Sequence, residues 1–186
     1  MSSITKRQIA ELLDQDEKGR ISRAMLQAFL DNPNRFVTSF PTTVDNNIGL
    51  IPLIQAAVGS NNFRNINSNI TPERFKLGKG VRQVNLELAP FLDGETGEQA
   101  AKRLVAEGFT LEGISVLAQF LADNPNDVEK YCMVLALGED SRWADPSGSV
   151  FVPFAGVVGA RRYFGLRWFD DRFDSDSRVL VSRPSK

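Results

Sequence analysis

The sequence predicts an α+β protein, in which a helical hairpin precedes a domain built from one strand, two helices and four strands. Three observations predict this class. Apolar residues recur at helical spacing before residue 35, they alternate over residues 82–88, and several short apolar segments follow residue 130. Of the 186 residues 42% are hydrophobic, which is enough for a sizeable core. The predicted divisions are a hairpin at 1–35, a loop-rich connection at 36–81 and a strand-and-helix domain at 82–186.

The hairpin prediction is based on capping residues and apolar stripes. Thr5 and Gln8 have the spacing of a capping box, and Ser22 is placed to cap a second helix. The apolar residues expected to be buried by the two helices include Ile9, Leu12, Met25 and Phe29. In the connection that follows, a short helix is predicted from Pro52 to Val58, ending at Gly59, with surface loops around it.

The elements after residue 81 are predicted one by one. Residues 82–88 alternate as a half-buried strand does, and Thr96 with Gln99 forms a second capping box for a helix that ends at Gly108. Thr110 is expected to cap the next helix. Residues 131–137 are apolar on both faces, as in a central strand, so that Cys132 is expected to be buried. Three further strands are predicted at residues 150–154, 162–169 and 178–183.

The composition excludes several classes of site. There is no histidine and only one cysteine, so neither a zinc site nor a histidine-assisted nucleophile is expected. The net charge is -1 and there is no basic block, which argues against nucleic-acid binding. Neither a signal peptide nor a membrane-spanning run is recognised, and this is compatible with a cytoplasmic or virion location. We therefore expect a binding protein, not an enzyme, without a cofactor or a metal.

The segment from residue 151 to residue 181 has an unusual composition. It contains no Lys, Glu, Gln, Met or Asn, although most of these residues are common earlier in the chain. Within it, Phe164, Leu166 and Trp168 are expected to point inward. The outward positions are Tyr163, Gly165 and Arg167, a mixture of types that is common on recognition surfaces.

This C-terminal segment also resembles a known family. The frame residues are Val152, Pro153, Arg162, Phe164, Leu166, Trp168, Phe169, Arg178, Leu180 and Arg183. With the preceding order of strand, helix, helix and strands, the frame is similar to the C-type lectin fold, and in particular to the variable proteins of diversity-generating retroelements. In that family a reverse transcriptase introduces errors at template adenines, so that selected codons come to encode many residue types. The frequent Gly-Gly-Ser-Trp segment and Gly-Phe-Arg ending of the family are absent here.

The resemblance implies a ligand-binding display protein with a variable region at about 152–183. Its partner would be a macromolecule, and a protein in particular, not nucleic acid or a membrane. Positions between the frame residues would be the diversified, ligand-binding ones: Gly156, Val158, Gly159, Arg161, Tyr163, Gly165, Arg167, Asp170, Asp171, Asp174 and Asp176.

Other interpretations of the same residues stay open at this point. The four aspartates at 170, 171, 174 and 176 either form a solvated acidic turn or bind calcium, although a distal glutamate is lacking. Trp143 is either a loop anchor or part of a ligand site. Glu139 and Asp140 are either solvated or an acid/base pair. Alternatively, the protein is a structural or adaptor protein, such as a virion component, that assembles through its N-terminal helices.

Overall fold

The computed structural model describes residues 39–124, 126–158 and 161–183, with side chains except at residues 58–65, 157, 158, 161 and 162. These residues belong to one compact unit, which spans residues 39–186. The predicted N-terminal hairpin, with Ile9, Leu12, Met25 and Phe29, lies outside the described residues. None of the described helices is both long and apolar enough to cross a membrane.

The described part of the chain contains three α-helices and eleven strands. The helices are α1 (Leu50–Asn62), α2 (Gly97–Ala106) and α3 (Ile114–Asp123). The strands are β1 (Phe40–Asp45), β2 (Phe63–Ile66), β3 (Val81–Pro90), β4 (Glu95–Thr96), β5 (Thr110–Leu111), β6 (Met133–Leu135), β7 (Trp143–Ala144), β8 (Val150–Val158), β9 (Arg161–Trp168), β10 (Arg172–Phe173) and β11 (Arg178–Ser182). The chain is therefore a mixed α+β protein with a body that is mostly sheet.

Nine of the described strands form one mixed sheet. The strand order is β1-β3-β11-β6-β8-β9-β2, with β5 paired to β11 and β7 paired to β8. The pairs β11–β6 and β2–β9 are parallel, and the other pairs are antiparallel. The strands β4 and β10 form a separate two-stranded ribbon. The long hairpin of β8 and β9 therefore lies toward one edge of the sheet, with only the short β2 beyond it.

The two faces of the sheet bury different apolar clusters. Because side chains alternate along a strand, neighbouring residues of β6 and β11 enter opposite clusters. The first cluster packs the sheet against α1 and α3, and its sheet residues include Val44, Leu86, Val134, Ala155, Phe164 and Leu180. The second packs the sheet against α2, and its sheet residues include Ala89, Leu135, Val152, Val179 and Val181. The sheet is thus covered by helices on both faces.

The loop-rich connection predicted for residues 36–81 is wrong over much of its length. This stretch contains β1, α1 and β2, and both strands belong to the main sheet. The helix begins at Leu50 and runs through Gly59 to Asn62, with Pro52 in its first turn, where a proline costs no hydrogen bond. The short strand β1 was missed because pairing with β3, not local apolar patterning, determines its conformation.

The predicted helix boundaries are confirmed for α2, whereas for α3 only the predicted start is wrong. Thr96 Oγ1 accepts a hydrogen bond from Gln99 N at 3.2 Å, and Gln99 Oε1 accepts one from Thr96 N at 2.9 Å, as in a capping box. Thr110 does not cap α3, because it pairs with Ser182 in the sheet. The first N–H of α3, at Ile114, instead donates to Ser141 Oγ at 2.6 Å.

The C-terminal strand predictions are confirmed in number and approximate position. The strands predicted at 150–154, 162–169 and 178–183 correspond to β8, β9 and β11, and the strand at 82–88 corresponds to β3. The strand predicted at 131–137 is shorter, since β6 contains only Met133–Leu135. Cys132 precedes this strand and is exposed, so the expectation that it is buried is wrong. From β3 onward the major elements follow the predicted order of strand, helix, helix and four strands.

A buried ion pair joins the β4–β10 ribbon to α2. Arg103 Nε and Nη2 donate to the two carboxylate oxygens of Glu95, each at 2.8 Å, and Leu92 N donates to the same carboxylate at 3.0 Å. Burial acts to raise the pKa of Glu95, but the hydrogen bonds from Arg103 and Leu92 and the charge of Arg103 outweigh it. The pKa of Glu95 therefore lies below its ordinary value, and the carboxylate is ionised at neutral pH.

Replacing Glu95 by glutamine is expected to destabilise the protein by about 1.5–3 kcal/mol at pH 7, because hydrogen bonds to charged groups contribute that much. A depressed pKa in the folded state adds stability above the unfolded pKa of about 4.3, and this stability is lost as pH falls through the folded pKa. The difference between wild type and variant should therefore shrink below about pH 4.3. Urea unfolding between pH 3 and 7 measures this.

The matched control for Glu95→Gln is Glu98→Gln. Glu98 forms an exposed pair with Lys102 one helical turn away, so solvent screens the interaction. The control should unfold nearly as the wild type does. A pH-independent effect of Glu95→Gln, or equal effects of the two variants, would contradict the assigned role of Glu95.

Candidate functional site

The β8–β9 hairpin and the turn after it carry most of the residues predicted to bind a ligand. The two strands pair from Phe151 opposite Trp168 to Val158 opposite Arg161. Phe164 lies in the middle of β9 and is fully buried in the cluster beneath α1 and α3. By alternation, Tyr163 and Arg167 lie on the other face of the strand, on the side of α2. One face of the hairpin is therefore buried at its centre, and the other face is partly exposed to solvent.

Tyr163 and Arg167 are both partly exposed, as predicted. Tyr163 lies opposite Gly156 and Arg167 lies opposite Val152 on the neighbouring strand. Arg167 Nη2 and Asp171 Oδ2 are 2.9 Å apart, so the guanidinium is paired with a carboxylate from the following turn. The ion pair restrains the orientation of Arg167 on the surface and leaves part of its side chain open to solvent.

Two glycines of the predicted binding set are not surface positions. Gly156 and Gly165 are both buried. A Cβ atom at residue 156 would lie 2.7 Å from the backbone oxygen of Cys132, and one at residue 165 would lie 2.8 Å from Cε1 of Phe154. Gly165 lies on the same face as Tyr163 and Arg167, as expected, but it is buried because Phe154, its partner on the neighbouring strand, covers it. Side chains cannot be exchanged freely at either position.

Two other predicted positions form the last described pair of the hairpin. Val158 ends β8 and Arg161 begins β9, and the side chains of both are outside the described residues. Gly159 is also outside them. The backbones of Val158 and Arg161 lie opposite each other on the two strands.

The four aspartates follow β9 but do not form a single cluster. Asp170, Asp174 and Asp176 are exposed, and Asp171 is paired with Arg167. Among the described residues, no group of three or more acidic or cysteine side chains is arranged to hold a metal ion. The backbone oxygen of Asp176 accepts from Cys132 N at 3.2 Å, which places Asp176 beside β6. Partial burial, with the charges of Asp176 and Asp174, raises the pKa of the Cys132 thiol.

Trp168 was expected to point inward with Phe164 and Leu166, and this is wrong. Its side chain is 52% exposed, whereas Phe164 is fully buried and Leu166 is partly buried. The helices α1 and α3 cover this face of the sheet at Phe164 but not at the end of β9. The alternating pattern correctly predicts which face Trp168 occupies, but it cannot predict how far the covering layer extends.

Trp168 belongs to a row of three aromatic residues across neighbouring strands. Phe151 pairs with both Trp143 and Trp168 in the sheet. The ring centroids of Trp143 and Phe151 are 5.4 Å apart, and those of Phe151 and Trp168 are 6.1 Å apart. The guanidinium of Arg74 lies 4.5 Å from the centre of the Trp143 ring. We call Trp143, Phe151 and Trp168 the aromatic row.

The aromatic row was missed by reasoning from the sequence, apart from the suggestion that Trp143 is either an anchor or a ligand residue. Trp143 has the contacts expected of a loop anchor, since it packs against the first cluster and contacts Phe151. Its alignment with Trp168 depends on strand register. The only signal in the sequence was the presence of six aromatic residues between positions 143 and 168, which does not predict which of them are in contact.

Glu139 and Asp140 belong to a short 3-10 helix, Glu139–Ser141, and Asp140 lies beside the residue that precedes α3. Ser141 Oγ donates to Asp140 Oδ1 at 3.2 Å and accepts from Ile114 N. Gly113 is in close contact with Asp140, since a Cβ at residue 113 would lie 2.5 Å from Asp140 Oδ1. A carboxylate is favourable near the N-terminus of a helix. Asp140 therefore contributes to the start of α3, and both Asp140 and Glu139 are exposed.

The chain was compared with family models, with curated proteins and with solved structures, and nothing matched in any of the three comparisons.

Proposed function

We propose that the protein is a ligand-binding display protein, in which a rigid frame presents exchangeable side chains of the β8–β9 hairpin to macromolecular partners. One observation carries the proposal. Tyr163 and Arg167 are partly exposed on the same strand whose central residue, Phe164, is fully buried. Surface side chains on such a strand can change without a change in the core, and a rigid strand loses little conformational entropy on binding.

We further propose that the protein is a variable protein of a diversity-generating retroelement, with a C-type-lectin-like fold. The frame residues Val152, Phe164 and Leu180 are fully buried, which is what invariant positions of a display scaffold require. Two features limit the analogy. Trp168 belongs to the proposed frame but is largely exposed, and Gly156 and Gly165 are too tightly packed to be diversified.

The proposed exchangeable set is therefore smaller than the sequence alone suggests. Among the described positions of the predicted set, the exposed or partly exposed ones are Tyr163, Arg167, Asp170, Asp171, Asp174 and Asp176. Tyrosine and arginine often contribute most to the binding energy at protein interfaces, so Tyr163 and Arg167 are the proposed anchors. In this role the chain has no catalytic activity and no cofactor, and the partner that it binds is a protein.

Replacing Tyr163 and Arg167 together by alanine is expected to abolish partner binding without loss of stability. The full-length protein, immobilised, would be used to isolate a partner from cells of the source organism. The affinity of that purified partner would then be measured for both forms. Each anchor contributes about 2 kcal/mol or more, so removal of both should weaken binding by about 4 kcal/mol, which is roughly 700-fold. The free energy of unfolding should change by less than about 1 kcal/mol, because both side chains are partly exposed.

A control variant with Val81 and Val105 replaced by alanine should bind as the wild type does. Both side chains are more than half exposed, and they lie on β3 and α2, which are not part of the β8–β9 hairpin. Unchanged affinity of the Tyr163→Ala, Arg167→Ala double variant would refute the proposed binding surface.

A further inference from the structure

The strand β9 has no neighbouring strand on one side beyond Phe164 in the described sheet. The short strand β2 pairs with β9 only as far as Phe164, whose backbone oxygen also accepts from Asn67 N at 3.2 Å. A turn follows, in which Ile70 N donates to Asn67 O at 2.9 Å. On its other side β9 remains paired with β8 as far as Trp168. Residues 165–168 therefore form an open edge of the described sheet.

The hydrogen-bonding pattern shows which backbone groups of this edge point away from β8. In an antiparallel pair, alternate residues direct both N–H and C=O toward the partner strand. Phe169 N donates to Val150 O at 2.8 Å, so Phe169 directs these groups toward β8. By alternation, Trp168 and Leu166 direct theirs toward the open side. The oxygen of Phe164, which accepts from the segment after β2, fits the same alternation.

Three backbone groups on the open side have no hydrogen-bond partner among the described residues. They are the N–H and C=O of Leu166 and the N–H of Trp168. The oxygen of Trp168 accepts from Asp171 N at 3.2 Å in the turn after the strand. Two donors and one acceptor, spread over about 7 Å of strand, are the groups with which an added β-strand pairs.

Exposed apolar side chains lie at both ends of this open edge. Ile66, the last residue of β2, lies opposite Phe164 and is 41% exposed, and Trp168 is 52% exposed. Leu166 is partly exposed and lies on the same face of β9 as Trp168. A strand added beside Leu166 would cover part of this apolar surface while it pairs with the free backbone groups.

The edge at β1 differs in one respect. Asn46 N donates to Gly80 O at 3.0 Å, in register with the pairing of β1 and β3, so Asn46 points toward β3. By alternation the nitrogen of Pro41 is on the side away from β3. Proline has no N–H, and its presence at such a position hinders strand addition. Residues 165–168 contain no proline.

We propose that the open edge of β9 binds an extended segment of the partner protein by β-strand addition. In an antiparallel arrangement, one partner residue accepts from Leu166 N and donates to Leu166 O, and a residue two positions away accepts from Trp168 N. The side chains of both partner residues lie on the face of Leu166 and Trp168, so apolar residues are favoured there. This inference deepens the proposed function, on which it rests, by naming the conformation of the partner segment.

The length of the open edge favours such a segment over a second copy of this chain. The free groups extend over about 7 Å, whereas a stable interface buries about 800 Å² on each partner. Two short edges paired with each other would supply a small part of that area. An extended segment fits the edge and leaves Tyr163 and Arg167, on the other face of β9, to contact the rest of the partner.

A capped, fluorescent octapeptide tests this inference, with alternating valine and threonine between two terminal lysines. Its binding to the full-length protein is followed by anisotropy, and amide hydrogen exchange of the protein is followed by NMR. In the free protein, the amides of Leu166 and Trp168 should exchange faster than those of Gly165 and Arg167, which point toward β8. The peptide should slow exchange at Leu166 and Trp168.

Two N-methylated forms of the peptide identify its backbone contacts. With the valines on the face of Leu166 and Trp168, the valine N–H groups point toward β9 and the threonine N–H groups point away. Methylation of the valine nitrogens should weaken binding about tenfold or more, because Leu166 O then loses its donor. Methylation of the threonine nitrogens should leave binding nearly unchanged.

A protein variant tests the side-chain contact. Trp168→Ala should weaken binding of the octapeptide by about 1.5- to 5-fold, the range expected for loss of an apolar pair between neighbouring strands. The control is Val105→Ala on α2, which should bind the peptide as the wild type does. Thermal melts verify that both variants are folded.

Several results would overturn the inference. They are absence of binding at millimolar peptide, equal effects of the two methylations, unchanged binding by Trp168→Ala, and equal exchange of the four amides in the free protein. Sedimentation velocity tests for self-association. A dimer in which the amides of Leu166 and Trp168 are protected would also overturn the inference, because a second copy would then occupy the edge.

Failure of this inference is distinguishable from failure of the proposed function. If the peptide results are negative but the partner isolated from cells still requires Tyr163 and Arg167, the proposed function stands and strand addition fails. If the octapeptide binds at Leu166 and Trp168 while Tyr163 and Arg167 prove dispensable for the isolated partner, strand addition stands and the proposed surface fails.

Discussion

Replacing Phe164 by alanine is expected to lower the free energy of unfolding by about 3–5 kcal/mol, the usual cost of removing a buried phenylalanine ring. Phe164 is fully buried between β9 and the helices α1 and α3, where a cavity of this size cannot be filled by small shifts. Urea unfolding followed by circular dichroism measures the loss. The result tests whether the hairpin is anchored at this residue.

The matched variant is Trp168→Ala, on the same face of the same strand. Because half of the Trp168 side chain is already exposed, its removal should cost less than about 1.5 kcal/mol, although more apolar atoms are deleted. Similar losses for the two variants would show that both residues are buried, as the alternating pattern alone suggests. That result would contradict the exposed aromatic row.

Replacing Gly156 by valine is expected to destabilise the protein by about 2–3 kcal/mol or to prevent folding, since excess volume in a packed site typically costs 1–3 kcal/mol. The atom nearest to the new Cβ is a backbone oxygen, that of Cys132, at 2.7 Å. Relief of the clash therefore requires β6 and β8 to move apart, and these strands are hydrogen-bonded to each other. Thermal and urea unfolding measure the effect.

Gly78→Val is the control for this substitution. The nearest atom to a Cβ at residue 78 is 3.8 Å away, on the side chain of Asn46, so a larger residue has room. The control should be close to wild type in stability. A stable Gly156→Val variant would return residue 156 to the set of exchangeable positions and would contradict the packing described for the hairpin.

Elements with a strong local signal could be predicted from the sequence. The strand β3 alternates over its length, and α2 begins with a reciprocal cap between Thr96 and Gln99. The strands β8, β9 and β11 were recognisable because each is a short apolar or alternating segment. In these cases the local preference and the tertiary structure agree.

Elements that depend on distant partners could not be predicted. The strand β1 has few apolar residues and is defined by its pairing with β3, some 40 positions later in the chain. The cap of α3 comes from Ser141, which follows the helix by 18 positions, whereas Thr110, the local candidate, is drawn into the sheet by Ser182. Local propensity gives no indication of either interaction.

The candidate site shows the same division. The partial exposure of Tyr163 and Arg167 followed from alternation along one strand. The burial of Gly165 under Phe154 could not be predicted from alternation, because it depends on the register between two strands. The aromatic row likewise depends on the register of three strands and on where the helical layer ends beside Trp168.

The most direct test of the proposed display function is to sequence the 3′ end of the gene and its genomic neighbourhood in the source organism. The account predicts a near-copy of this 3′ end beside a reverse-transcriptase gene, with differences concentrated at template adenines. Those differences should include the codons for Tyr163, Arg167, Asp170, Asp171, Asp174 and Asp176 and should spare the codons for Phe164, Gly156 and Gly165. Absence of such a repeat, or differences spread evenly over surface and core codons, would contradict diversification and leave an ordinary surface strand.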